Sequence, residues 1–489
     1  MGGRATRTRT EKEEAGWPAV LLQERPRPPA VRNHPGAWRL AVATVCFGAF
    51  MGQLDASIVT LTYHSLRVQF RAPLAGVEWV SLAYLLTLVT LLVPVGRLAD
   101  ARGRKLFYLY GFVVFTAASA ACGLAPSLGT LIAFRVVQAA GAAMLQANSV
   151  ALVATSAPAE KMRTALGVQA AAQALGLAIG PTVGAALVTT VGWRWVFGIN
   201  VPIGVVAVVA GHFLLPRTRS RNPVPAFDWW GLAWLATATT SLLLGVSAVS
   251  GLPLAPWVAA GLFATAVAAG VAFVLRQRRA RVPLLDLGLL RLPAVSPGLA
   301  GALSGYLVLF GPLVLVPIVL VRAGCSELLT GVVVSALPAG FALAATGAEP
   351  VLPRSATDRG RCLLGAVVAC GALACMLVVP VEAGWTALLL ALLGVGLGVF
   401  TPANNTLIMR AFPVAASGTG GGLVNMTRGL GTALGVALVT LALHLAPTGS
   451  VAPAAHRGVT VLLAAAGVML LAAWLSPRRT ASGGGMVTE

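Results

Sequence analysis

Charge is scarce in this chain. Only 10% of its 489 residues are Asp, Glu, Lys or Arg, against about 25% in soluble domains. An ordinary water-facing surface is therefore excluded, and 57% hydrophobic residues point to a surface solvated by lipid. Acids are the rarer sign, 15 against 35 basic residues, for a formal net charge of +20. Lysine is rarer still, with only Lys12, Lys105 and Lys161. Aromatics make up 7%, so Leu, Val, Ala and Gly supply the apolar character. The basic excess does not indicate nucleic acid, because the arginines stand in short clusters between apolar runs. The six cysteines include no CxxC pair, so neither a zinc site nor a disulfide framework is expected. No GxxxxGK[ST] loop occurs, which argues against an ATP-driven pump. No metal-spaced His/Asp/Glu cluster or Ser/His/Asp arrangement suggests an enzyme, and no cofactor is expected. The polar, basic start up to Gly36 lacks the short apolar core of a removable signal peptide.

What the chain does have is long apolar runs. About 20 such residues make a membrane-spanning helix. Fourteen stretches qualify, the first at 38–60, the seventh and eighth at 229–250 and 253–275, and the last at 459–475. The sequence thus predicts an all-α integral membrane protein. Basic clusters orient it. The tails and the groups around Arg97, Lys161, Arg217, Arg276, Arg354, Arg410 and Arg478 fall on one side. Arg67, Arg71, Arg194, Arg322 and Arg457 fall on the other. By the positive-inside rule the first side is cytoplasmic, and an even number of spans keeps both termini there.

The chain also repeats itself. Pro158 and Pro413, Gly167 and Gly422, Gly176 and Gly431, and Gly180 and Gly435 each stand 255 positions apart. An Arg-Gly-Arg-x-Leu run at Arg102–Leu106 recurs at Arg359–Leu363, with Thr357 where Asp100 would align. Two parallel six-helix halves follow, separated by two inserted helices. The division is a basic tail (1–37), a first half (38–215), linkers with the inserted pair (216–296), a second half (297–475) and a short tail (476–489). In such architectures the binding site lies between the halves near the membrane midplane.

Several motifs carry a family resemblance. Gly96-Arg97-Leu98-Ala99-Asp100-Ala101-Arg102-Gly103-Arg104-Lys105 resembles the signature loop of the major facilitator superfamily. Arg135-Val136-Val137-Gln138-x-x-Gly141 resembles its fourth-helix motif. Gly176-x-x-x-Gly180-Pro181-x-x-Gly184-Ala185 is similar to its antiporter motif, with Ala185 in place of the usual second glycine. Leu54-Asp55-Ala56-Ser57-Ile58-Val59 resembles the first-helix motif of the fourteen-span drug/proton antiporters. The resemblance implies a major facilitator fold, and export of an antibiotic or secondary metabolite across a bacterial plasma membrane. It implies gating roles for Gly96, Asp100, Gly103, Arg104, Gly176, Gly180, Pro181 and Gly184. Independently, small residues at this spacing let helix backbones approach closely.

Charges inside the spans suggest how the work is done. Asp55 lies late in an outward-running helix and Arg135 early in an inward-running one, each roughly 8–10 Å from the outer end at 1.5 Å per residue. They are expected to meet and to couple transport to protons, with the proton-motive force as the energy source. Arg428 sits mid-span, and its counterpart at the 255 offset is Gln173. With Gln138 and Asn425 these residues are expected to line a substrate cavity. The deep inventory is one carboxylate and two guanidiniums, which suits an anionic or zwitterionic small molecule. The alternatives are a uniporter or importer of a nutrient and, outside transport, a membrane sensor. No nucleic-acid partner is expected.

Overall fold

The computed structural model describes residues 24, 27–32, 36–158, 161–217, 228–281, 283–285, 287–351, 357–411, 417–446 and 451–477. Among these there is no strand, and fourteen helices are long and apolar enough to cross a membrane. In the first half they are α1 (Ala37–Ile58), α2 (Trp79–Arg102), α3 (Arg104–Gly123), α4 (Leu128–Ser156), α5 (Met162–Thr190) and α6 (Asn200–Leu214). The inserted pair is α7 (Trp229–Val249) and α8 (Pro256–Arg279). The second half holds α9 (Val295–Arg322), α10 (Glu327–Val351), α11 (Asp358–Val378), α12 (Ala383–Ala411), α13 (Ser417–His444) and α14 (Val451–Leu475). With fourteen crossings the start of α1 and the end of α14 lie on one face, called here the tail face, opposite the far face.

The first span is longer than its hydropathy suggests. After α1 the chain continues through a 3-10 turn, Val59–Thr62, into a helix at Tyr63–Phe70. Left-handed Arg71 (φ 48°) then stops it. At the other end of α2, Gly103 turns the chain into α3 with φ 126°, a conformation that favours glycine. The buried Glu24 carboxylate fills the space where a Cβ would project from Gly103 and accepts from the Leu106 N–H at 3.3 Å.

The sequence repeat is a repeat of backbone contacts. A Cβ on Gly176 of α5 would lie 2.5 Å from the Phe50 carbonyl of α1, and Gly431 of α13 abuts the Leu303 carbonyl of α9 in the same way. A Cβ on Gly141 of α4 would lie 2.9 Å from the Gly111 carbonyl of α3, and one on Gly396 of α12 would lie 2.7 Å from the Gly365 carbonyl of α11. Gly141 and Gly396 are again 255 positions apart. Where Asp100 has no counterpart, Thr357 caps α11 by accepting from Gly360 N–H. The acid has moved one place along, and Asp358 pairs with Arg410 of α12 at 2.7 Å.

Helices α7 and α8 pack on each other as a hairpin, and α7 packs on α2 and α13. Only 17% of the α8 span is buried, against 83% of α9, so α8 is peripheral and α9 central. Asp228 pins the hairpin at the tail face. It accepts from Gly231 N–H (3.0 Å), Arg276 Nε (2.9 Å) and Gln277 Nε2 (3.0 Å). Burial by itself would raise the Asp228 pKa, but these donors outweigh it and hold the carboxyl below the usual carboxylate range. A depressed pKa contributes stability above the unfolded value of about 3.9 that is lost as pH falls through the folded value. Asp228→Asn is accordingly expected to speed amide exchange in α7 and α8 at neutral pH. At a pH below the folded value, wild type and variant should converge.

Candidate functional site

Five helices of the first half converge on Asp55, which is fully buried on α1. Arg135 of α4, 1% exposed, donates from Nη1 to Asp55 Oδ2 at 2.6 Å. Its Nε donates to the Val80 carbonyl of α2 at 2.9 Å. Gln138, one turn along α4, accepts from Arg135 Nη1 (2.7 Å) and donates to Asp55 Oδ1 (2.9 Å) and Ser119 Oγ of α3 (2.8 Å). Asn200 at the start of α6 donates to Asp55 Oδ1 at 3.2 Å. The Tyr84 ring of α2 lies 4.0 Å from the guanidinium carbon. The carboxylate and guanidinium meet, as their positions implied. Each is satisfied by direct hydrogen bonds, the condition under which a buried pair persists.

Gln138 is a correction. Expected on the cavity wall, it is fully buried inside the ion-pair network and does not line the cavity. Its i+3 spacing from Arg135 puts both side chains on one face of α4, where the amide can bridge acid and base.

The cavity itself, about 210 Å³, lies between the halves. Gln173 of α5 and Asn425 and Arg428 of α13 line it together, as expected. So do Gln53, Tyr84, Gln146 and Tyr306, none of them expected there from the sequence. Amides inside apolar spans were the available signal for Gln53 and Gln146. Among the described residues Arg428 is the only charged one in the wall. Its Nη1 donates to Asn425 Oδ1 at 3.3 Å, its guanidinium lies over Tyr306 at 5.2 Å, and its buried Nε has no hydrogen-bond partner. Among the described residues it meets no acid. Tyr84 thus stands between two sites, packed on Arg135 and facing the cavity.

The halves close on each other toward the far face. A Cβ on Gly331 of α10 would lie 2.8 Å from the Pro181 carbonyl of α5, and Ser335 shares a 2.7 Å hydrogen bond with Thr182. On its other side the motif packs on α1, Gly180 against Ser57 and Gly184 against Ile58. At the tail face Gly96 faces Ala147 of α4, while Gly103 and Arg104 make the turn into α3. The Asp100 side chain lies outside the described residues. One buried carboxylate gave no signal in the sequence. Glu78, at the far end of α2, is as fully enclosed as Asp55, so among the described residues the spans enclose two acids.

The family profile of the Major Facilitator Superfamily matches residues 45–436. This chain belongs to the major facilitator superfamily. The facilitator is 30% identical to a tetracenomycin C resistance and export protein of Streptomyces glaucescens, over 84% of this chain and 76% of that one. It is 30% identical to a methylenomycin A resistance protein of Streptomyces coelicolor, over 82% and 85%. It is also 28% identical to the riboflavin transporter RibZ of Clostridioides difficile, over 81% and 86%. Among solved structures, a peptide transporter POT in complex with sulfate superposes with a TM-score of 0.67 at 14% identity, covering 93% of this facilitator and 96% of that chain. That likeness bears on the fold alone.

Proposed function

We propose that this facilitator is a proton-coupled antiporter that exports an anionic or zwitterionic small molecule, an antibiotic or secondary metabolite, from a bacterial cell. The observation that carries the reading is the pairing of two sites. A buried, titratable ion pair lies one tyrosine ring away from a cavity whose sole charge, among the described residues, is Arg428. Arginine placement assigns the tail face to the cytoplasm, with both termini inside. The export and resistance proteins among its relatives support the outward direction.

In this state Asp55 is paired with Arg135. The far ends are shut, so cargo loads from the cytoplasmic side and its anionic group binds Arg428. Opening of the far ends delivers cargo outside and admits a proton to Asp55. Protonation weakens the hold on Arg135, which cannot itself discharge, and biases the return. One proton crossing ~150 mV supplies about 3.5 kcal/mol, a roughly 300-fold cargo gradient. No bound cofactor enters this cycle. The riboflavin transporter among the relatives keeps a nutrient uniporter or importer as the second reading; cargo counterflow indifferent to pH would favour it.

The test is acid-driven uptake into everted membrane vesicles with size-matched carboxylates and quaternary ammonium compounds. Carboxylates are expected to be taken up in preference. A charge-assisted hydrogen bond is worth about 1.5–3 kcal/mol, so Arg428→Gln should raise the carboxylate KM roughly 10- to 100-fold. Preference for the quaternary ammonium compound would reject the substrate class.

A further inference from the structure

Glu78 is not used by the cycle above, yet it is built into the molecule from three sides. It sits at the N-terminal end of α2 with no solvent exposure. Ser247 of the inserted helix α7 donates to its Oε1 at 2.6 Å. The same hydroxyl accepts from Trp79 Nε1 at 3.0 Å, so its one proton is committed to Glu78. From the second half, Thr440 of α13 turns its hydroxyl toward the same carboxyl. Both Glu78 Oε2 and Thr440 Oγ1 are buried without a hydrogen-bond partner of good geometry.

The surroundings offer no counter-charge. Tyr63 lies nearby on its own short helix, with its hydroxyl bound to Ser81 Oγ at 2.8 Å. Arg135 from α4 is engaged with Asp55 of α1. His444, one turn beyond Thr440 on α13, packs on Gly251 and is exposed. Helix α7 carries no titratable residue at all. Among the described residues, Glu78 forms no salt bridge. An ionised carboxylate enclosed without a cation is strongly disfavoured. A neutral one is well suited, because its Oε2–H donates to Thr440 Oγ1 and satisfies both orphaned atoms with a single proton.

The geometry points to Glu78 as a second proton-binding site, occupied while the far ends are closed and held in place by the inserted helix α7. When the halves part at the far face, Thr440 withdraws with α13, water reaches the carboxyl, and the proton leaves to that side. Closure and proton occupancy are therefore linked, and far-side acid favours the closed state. The inserted hairpin thereby gains a role, since Ser247 fixes the acid at the seam between the moving halves.

The inference rests on the alternating-access reading, but its readout needs neither cargo nor coupled export. In a full-length chain otherwise free of cysteine, spin labels at Val68 and Leu445, both exposed at the far face, report the opening in nanodiscs. Between about pH 5 and about pH 9 the open fraction of the wild type is expected to rise, each linked proton contributing up to about tenfold per pH unit. Glu78→Gln keeps the shape and hydrogen bonds of the neutral acid. Its open fraction should rise less steeply than that of the wild type, by the up to about tenfold per pH unit that one proton supplies. Thr440→Val, which removes the acceptor, should open at lower pH than wild type. A Glu78→Gln slope equal to wild type, or a wild type that does not open with pH, would overturn the inference. Antiport is judged separately, by export in the Asp55→Asn variant.

Discussion

Asp55→Asn is expected to abolish acid-driven export, by 100-fold or more, while cargo exchange down its own gradient persists. The asparagine oxygen still accepts from Gln138 and Asn200, which hold Asp55 Oδ1 in the native chain. Its amide, however, turns a donor toward Arg135 Nη1, where Asp55 Oδ2 now accepts at 2.6 Å. Arg135 becomes a buried charge without a counter-charge, a change that costs about 3–5 kcal/mol. Thermal unfolding in detergent should register that loss. The double variant Asp55→Asn/Arg135→Gln should recover most of the stability and none of the export, because an amide pair is neutral and untitratable. Stability and coupling are thereby separated. Undiminished uphill export in Asp55→Asn vesicles would mean that energy enters elsewhere.

The second large effect is expected from Gly176→Val and Gly431→Val. Each glycine lets α5 or α13 lie directly on the carbonyls of α1 or α9, at Phe50 and Leu303 respectively. A side chain there must push backbone rather than bend a neighbouring rotamer, and overpacking of this kind costs about 1–3 kcal/mol or more. Because α1 also carries Asp55, displacing it strains the ion pair, so Gly176→Val should lose transport as well as stability. Gly270→Ala on α8 is the control. A Cβ there meets nothing within 4 Å, and the substitution should be neutral or mildly stabilising. Thermal midpoints for all three variants in one detergent make the comparison. Equal midpoints would mean that the repeat's glycines do not set the helix spacing.

Much of this was legible in the chain. Spans follow from hydropathy because lipid demands about 20 apolar residues whatever the partners. The 255-residue offset survives because close helix packing tolerates little besides glycine, and it led to helix pairs that the structure places in equivalent contact. The meeting of Asp55 and Arg135 followed from depth alone. What stayed hidden depends on rotation and on distant partners. Gln138 could be placed on the same face of α4 as Arg135, and only the fold shows that it faces the acid and not the cavity. Glu78 sits where a span begins, so averaging over an apolar window conceals it. The attachment of α7 to α2 joins Glu78 with Ser247, about 170 positions apart in the chain, and no local pattern announces it. The run-on of the first span to Phe70 was missed because residues 63–70 are too polar to read as membrane helix.

Under the proposed cycle Tyr84 links drive and cargo through a single aromatic plate, packed on Arg135 and lining the chamber. Motor and hold are thus separate compartments with one common wall. Side chains such as Gln173, Tyr306 and Asn425 lie wholly on the hold side. Exchanging them should retune which molecules leave the cell while the engine runs unaltered, so that new resistance specificities would lie only a few substitutions away from this sequence.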